Sequence, residues 1–392
     1  MTPPARVQAA IELLDQIIGA AREGRAAADT IIARYFKTRR YAGSNDRRAV
    51  RELVFRAVRR FAEPMSGRAA MLALAGEDPA LLACFDGSLH GPERPHEVDG
   101  VAAPMAVQPW LRDRFDPLIG DDELPALLER APLDLRANRL KGSVREALQA
   151  FSEAHRTPHS PLGIRLPEGS RVEDSEAWAS GLVEVQDEGS QLVCLGCGAR
   201  AGMLVVDLCA GAGGKTLALA AEMANEGRIL ACDTDRPRLS RMRPRLERAG
   251  VTIVQSRLLD PAREREQLSH VGGGADLVLV DAPCSGTGTW RRNPETRWRI
   301  TPQRLELLTA LQRRLLDIGA ELVRPGGHLV YAVCSLLAEE GRDQAAALSG
   351  RSSLVPEPLP TPAGRPAGTG LILSPARDGT DGFFVARWRA PC

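Results

Sequence analysis

Aromatic residues are scarce: Phe, Trp and Tyr together make up 4% of the 392 residues, against an apolar fraction of 44%. A core of this composition rests on Leu, Val, Ile and Ala. An excess of charge is missing as well. Lys plus Arg number 51 and Asp plus Glu 50, a net charge of +1. That excludes a uniformly basic chain coating nucleic acid, but leaves room for one basic face. No apolar run nears the roughly 20 residues that cross a bilayer. The opening MTPPARVQAAIELLDQ also lacks the apolar stretch and small-residue cleavage site of a signal peptide. Both absences point to the cytoplasm and to no membrane contact. Eight cysteines are too few for a secreted disulfide framework, so each thiol needs a reason in packing, metal or reactivity. The six histidines show no paired spacing, and no metal site is expected.

This length accommodates two or three domains. Residues 3–82 read as helical. ARVQAAIELLDQIIGAAREG repeats apolar residues at three- and four-residue steps and stops at Gly. SNDRRAVRELVFRAVRRFAE opens on a cap and sets Val50, Leu53, Val54 and Val58 on one face. Arg47, Arg48, Arg51, Arg59 and Arg60 crowd the rest, either as a solvated face or as a nucleic-acid contact. Residues 86–109, rich in Gly and Pro, read as a loop, and helical signals return over 110–130. Residues 1–130 are therefore expected to form a helical domain. Residues 131–180 read as a small α/β connector, and 181–392 as the main α/β domain.

In that last region short apolar runs (MLVVDLC, GRILACD, VTIVQS, ADLVLVDAP, GGHLVYAVCS) alternate with helical stretches. The rhythm predicts a parallel sheet with helices on both faces. GFFVARWRA reads as a final antiparallel strand at the sheet edge. Ligands bind such sheets beyond the carboxyl ends of the strands. VVDLCAGAGGKTLALAAEM offers a strand, a glycine turn and a helix there. A phosphate-binding P-loop would need Gly where Cys209 stands, and a dinucleotide fingerprint would need Gly at Thr216. What remains is a looser turn over Cys209, Ala210, Gly211, Ala212, Gly213, Gly214 and Lys215. Asp207 ends the preceding strand and Asp233 the next. A carboxylate at that second place accepts ribose hydroxyls, and adenosine without pyrophosphate fits: S-adenosylmethionine.

Two Cys-Ser pairs follow buried-strand patterns, Cys284 in DAPCSGTG and Cys334 in YAVCSLLAEEG. These stretches, with EVQDEGSQL, DLCAGAGGKT, ACDTDRPRL and DGTDGFFVARW in order over 183–389, resemble the NOL1/NOP2/Sun family of RNA cytosine-5 methyltransferases. The helical region resembles the NusB-like extension of the bacterial branch acting on small-subunit ribosomal RNA. The resemblance implies a Rossmann-like S-adenosylmethionine-dependent methyltransferase domain behind an all-α NusB-like domain. Its RNA substrate would be ribosomal or transfer, the cytidine is expected to be unpaired or flipped because C6 is out of a thiolate's reach inside a stack, and a monomer is expected.

C5 of cytosine is a poor nucleophile until a thiolate adds to C6, and a base must afterwards take the C5 proton. Spacing does not decide which thiol attacks. DNA cytosine-5 methyltransferases use a Pro-Cys, which would be Cys284. The resembled RNA family attacks with the later cysteine, here Cys334, and gives the Pro-Cys a role in release. The resemblance further implies that Asp281 meets cofactor and base and that Lys215 belongs to the cofactor loop. Two other classes remain open: an RNA-binding assembly factor without activity, and a DNA cytosine-5 methyltransferase.

The chain departs from the family pattern in three places. Ala212 replaces the usual Pro, Val333 the usual Thr, and Arg257 the usual adenine-contacting acid, with Asp260 nearby. Cys194 and Cys197 form a CxxC without a second ligand pair. Arg291, Arg292, Arg297 and Arg299 beside Trp290 and Trp298 read as a phosphate-and-stacking surface.

Overall fold

Apolar spacing at three and four residues becomes four packed helices at the start of the chain: α1 (Pro3–Arg22), α2 (Ala28–Lys37), α3 (Ser44–Arg60) and α4 (Gly67–Ala75). The structure, a computed structural model, describes residues 1–24, 26–63, 66–97, 99–167 and 169–392. Two compact units emerge. The first comprises Met1–Phe115, Gly120–Glu129 and Ser285–Pro302, and the second Asp116–Ile119, Arg130–Cys284 and Gln303–Cys392.

In the helical unit, Thr2 caps α1 by accepting from the Ala5 N–H at 3.3 Å. Leu13, Leu14 and Ile17 of α1 meet Val50, Val54 and Val58 of α3 in one core. Gly67 opens α4 where a Cβ would lie 2.3 Å from the Ile11 carbonyl oxygen, so only glycine lets these backbones approach. Along the arginine face of α3, Arg51 pairs with Asp29 at 2.9 Å and Arg60 with Glu77 at 2.6 Å. Part of that face is thereby neutralised within the unit itself. Over 110–130 the expected helix is reduced to single turns at Pro109–Arg112 and Pro125–Leu127. The described residues of 86–97 and 99–108 are loop, apart from one bridge at Met105.

The segment Ser285–Pro302 belongs to this helical unit, and burial corrects the reading of Trp290, Trp298, Arg291 and Arg297 as a surface, while Arg292 and Arg299 are part-exposed. Trp290 and Trp298 are buried, and Arg297 is 2% exposed. The Arg297 guanidinium donates to the carbonyls of Val58, of Arg59 at 2.8 Å and of Phe61 at 3.1 Å, all at the end of α3, and to that of Ala106. Trp298 Nε1 donates to the same Phe61 carbonyl at 2.9 Å. The last carbonyls of a helix lack intrahelical partners and favour a cation, so Arg297 serves as a cap from a distant part of the chain. Glu295 does the converse at α2, its Oε1 accepting the Ala28 N–H at 3.1 Å.

The second unit opens with β1 (Leu133–Ala137), β2 (His155–Arg156), β3 (Gly163–Leu166) and β4 (Val183–Val185), an antiparallel sheet in the order β2-β3-β1-β4. Arg165 forks onto Asp134 of β1 at 2.7 and 2.8 Å. The larger sheet holds β5 (Leu204–Asp207), β6 (Arg228–Asp233), β7 (Val254–Leu258), β8 (Ala275–Asp281) and β9 (Val323–Val333). It continues with β10 (Val355–Glu357), β11 (Arg365–Ala367), β12 (Gly370–Leu373) and β13 (Phe383–Arg389). Its order is β7-β6-β5-β8-β9-β13-β12-β11, with β5 to β9 mutually parallel.

This is the expected α/β, Rossmann-like architecture, and the strand order reverses between β5 and β8, where ligands bind. β13 is antiparallel to β9 as expected, but it is not an edge. The β11–β12 hairpin and β10 cover its other side, built from a Pro-rich stretch that reads as loop. Among the described residues no helix is long and apolar enough to cross a membrane.

Arg297→Leu removes the shared cap of α3 and takes the guanidinium from the Val58 and Arg59 carbonyls, while Phe61 keeps the Trp298 indole. The helical unit is expected to lose about 2–4 kcal/mol, read as an earlier denaturant transition of helical signal in the full chain.

Candidate active site

The loops after β5, β6, β8 and β9 open on one edge of the sheet, because parallel neighbours end together. Asp207 ends β5, Asp233 ends β6, Asp281 ends β8, and Cys334 follows β9. The glycine turn runs from Asp207 into helix α5 (Gly214–Glu222). Gly211 and Gly213 have φ of 56° and 84°, left-handed values that exclude most side chains. A Cβ on Gly213 would fall 2.6 Å from Met242 Cγ, and one on Gly211 2.6 Å from the Arg238 guanidinium. The turn is held by Ala210 N–H on the Cys232 carbonyl at 2.8 Å and Gly211 N–H on Asp233 Oδ2 at 2.7 Å. Asp233 Oδ1 accepts the Asp235 N–H at 2.7 Å, so this carboxylate is oriented by backbone on both oxygens.

Lys215, in the first turn of α5, reaches Asp281 Oδ2 at 2.8 Å, with its Nζ 5.4 Å from the centre of the Phe383 ring. Burial works against the ammonium, but the Asp281 carboxylate outweighs it, holding the lysine pKa well above its usual range. Cys284 and Cys334 are both half-buried, and their sulfurs lie 3.4 Å apart. The structure therefore brings together Lys215, Asp281 and, at the adjacent strand ends, the two thiols, as well as the glycine turn with Asp233.

The remaining cysteines have a different character. Burial pushes the Cys194 and Cys232 thiols up to about 12, and those of Cys197 and Cys209 well above their ordinary value. Cys194 and Cys197 sit in helix α6 (Glu188–Cys197), where Cys197 Sγ donates to the Val193 carbonyl at 3.2 Å. Arg257 lies against His270 at 3.0 Å, and Asp260 is engaged by Gln267 at 2.9 Å.

Several contacts were not anticipated from sequence. Thr216, which rules out a dinucleotide fingerprint, donates its hydroxyl to Asp207 Oδ2 at 2.7 Å. Arg245 donates to the Ala212 carbonyl at 2.7 Å and to Glu184 of β4 at 3.0 Å. One arginine in the run RPRLSRMRPRLERAG carries no signal that would single it out. Gln312, Ser335 and Glu340 form a buried network beside the two thiols, described below.

Known proteins resemble this chain in sequence and in fold. The description "16S rRNA methyltransferase RsmB/F" matches residues 199–389. The chain is 35% identical over 265 residues to ribosomal RNA small subunit methyltransferase B of Salmonella typhi, covering 66% of this chain and 60% of that protein. The chain thus spans about three fifths of the length of the curated relatives it matches. Among solved structures, a methyltransferase homolog protein from Pyrococcus horikoshii is 28% identical, with a TM-score of 0.63 over 72% of this chain and 94% of that one. The crystal structure of PH0851 shares the fold over 99% of both chains, with a TM-score of 0.77 at 24% identity.

Asp207 gives this edge a pH signature. Burial raises its pKa from 3.8 to about 7, partly offset by the Thr216 hydroxyl. Folding therefore takes up a proton between those values, and stability falls as pH rises through that window, levelling off above it. Asp207→Asn keeps an acceptor for Thr216 and removes the slope. Relative to the parent it is expected to gain up to roughly 3–4 kcal/mol between pH 4 and 8, measured by denaturant unfolding at each pH.

Proposed function

We propose, from the match of residues 199–389 to the RsmB/F methyltransferase model and from the Rossmann-like sheet, that the protein methylates C5 of a cytidine in small-subunit ribosomal RNA. The observation that carries this reading is the pair of sulfurs 3.4 Å apart at the ends of adjacent loops, next to the Lys215–Asp281 pair.

S-adenosylmethionine fits the residues present. Gly211 and Gly213 leave backbone where a Cβ would collide, and Asp233 stands beside the turn with its carboxylate oriented. In this reading the backbone of Cys209, Ala210, Gly211, Ala212, Gly213 and Gly214, with Lys215, Asp233 and Asp281, holds the cofactor, which when bound supplies an electrophilic methyl on sulfonium sulfur. The Cys334 thiolate bonds to C6 of the cytosine, and electron density moves onto C5. Asp281, fixed by Lys215, accepts from the cytosine edge. Once C5 is methylated, Cys284 as thiolate takes the C5 proton and becomes a thiol, the freed electron pair restores the C5–C6 double bond, and the C6–sulfur bond breaks with its pair leaving on Cys334 as thiolate. Two sulfurs in contact suit this division, because C5 and C6 are neighbouring ring atoms.

The target cytidine is unpaired or flipped out, since a thiolate does not reach C6 within a stack. We read the helical unit as an RNA-binding part, the protein as a cytoplasmic monomer, and ribosomal rather than transfer RNA as its substrate.

Labelled methyl transfer to RNA from cells lacking the protein, with mapping of 5-methylcytosine, tests the reaction. Cys334→Ala is expected to lose transfer by at least about a thousandfold and to form no covalent adduct. Cys284→Ala is expected to accumulate the adduct between protein and RNA. An adduct requiring only Cys284 reverses the two roles, and no transfer to any RNA fraction favours a binding-only assembly factor.

A further inference from the structure

Both reactive-site thiols lie in irregular loops just past strand ends, yet their sulfurs meet at 3.4 Å. One tie is backbone: the Ala282 N–H donates to the Ala332 carbonyl at 2.9 Å. A second tie is made by side chains. Gln312, from helix α9 (Pro302–Leu322, with α7 for Arg236–Ser240 and α8 for Met242–Ala249), points its amide nitrogen between the two loops. Nε2 donates to the Pro283 carbonyl, one residue before Cys284, at 2.9 Å, and to Glu340 Oε1 at 3.0 Å. The second oxygen of Glu340 accepts the hydroxyl of Ser335, one residue after Cys334, at 2.6 Å. Ser335 Oγ in turn accepts the Leu337 N–H at 3.2 Å, and Tyr331 donates to the Glu340 carbonyl at 2.6 Å.

Gln312, Tyr331, Ser335 and Glu340 are all fully buried. The continuous path Pro283–Gln312–Glu340–Ser335 joins the two cysteine-bearing loops through a neutral amide–carbonyl hydrogen bond and two bonds to the Glu340 carboxylate, the latter charge-assisted and directional. In a water-excluded setting such a path resists sliding, because any shift leaves a buried carboxylate or carbonyl unpaired.

We propose that Gln312 and Glu340 are positioning residues that set the separation of the Cys284 and Cys334 sulfurs. Their importance to turnover rests on the cysteine roles proposed above. Neighbouring atoms of one ring must meet two different sulfurs, and a displacement of about 1 Å costs on the order of a hundredfold in rate. Neither residue touches the substrate in this scheme. Both act through the loops they hold.

Phenylarsine oxide tests the spacing without RNA or cofactor. Its arsenic forms two As–S bonds with two adjacent thiols, each thiol giving up its proton, and one water is released. The wild-type protein is expected to be bridged rapidly, and Cys284→Ala not at all. Gln312→Leu and Glu340→Ala are expected to be bridged about tenfold or more slowly. Glu340→Gln, which keeps hydrogen-bonding groups toward both neighbours, should stay within about threefold.

Near-UV circular dichroism verifies that each variant compared is folded. Should Gln312→Leu not fold, Gln312→Asn keeps the amide but shortens its reach by one methylene and is expected to show the same slowing. In methyl transfer the variants should lose kcat with KM for the cofactor unchanged. A folded Gln312 variant bridged at the wild-type rate would overturn the proposal. The bridging rate decides the positioning claim whether or not methyl transfer is detected, so failure of the functional reading is seen separately.

Discussion

The ion pair between Lys215 and Asp281 joins the two loops on which the proposed chemistry depends. Lys215 stands in the first turn after the glycine loop, and Asp281 is the last residue of β8, leading into the Pro-Cys loop. Such a pair adds little net stability, because two charges leave water to form it. Its effect is geometric, since either charge left alone in that setting is strongly disfavoured. The sheet makes the pairing possible. Parallel registers such as Val206 with Val278 and Val280 with Tyr331 put β5, β8 and β9 side by side with their carboxyl ends level. Loops distant in sequence thereby converge, and one lysine can bind the turn of the first strand to the end of the fourth.

Charge is used differently in the segment that follows Cys284. Ser285–Pro302 follows the Pro-Cys loop in sequence and supplies two helix caps within the helical unit, Glu295 at the start of α2 and Arg297 at the end of α3. Each sign matches the partial charge of the helix end it meets. Covalent continuity thus places a structural element of one unit directly after a proposed catalytic residue of the other. The same stretch buries Trp298 in the helical core and Trp290 against Phe115, an investment that a chain with 4% aromatics makes in few places.

Legibility followed the range of the interaction. The alternation of apolar runs with helical stretches identifies the parallel sheet, because strand burial is a local pattern. The glycine turn and both Cys-Ser pairs stand out because strand ends and positive-φ turns leave local marks. The fate of Arg297 was not local. A guanidinium beside tryptophan has the same composition whether it faces phosphate or caps a helix some 240 residues away, and only the fold distinguishes them. The edge reading of β13 failed for a related reason: a stretch rich in Pro and Gly hides the short strands β10 and β11, whose pairing is fixed by the neighbour. Gln312 was likewise invisible, one polar residue on an amphipathic helix until the strands behind it are placed.

The substitution at position 212 shows how one local rule is exchanged for a tertiary one. A proline in the glycine turn restrains the loop before folding, by narrowing the backbone freedom of the unfolded chain. Ala212 offers no such restraint. Its carbonyl is instead held at 2.7 Å by Arg245, whose guanidinium is fixed in turn by Glu184, a buried residue of β4 that also binds Arg248. A charged donor anchored on a buried carboxylate orients a carbonyl firmly, but only in the folded state. Part of the stiffness of the turn, beside its own bonds to Cys232 and Asp233, therefore comes from the packing of the connector sheet against helix α8, and disorder in that small sheet would reach Ala212 through the Arg245 hydrogen bond.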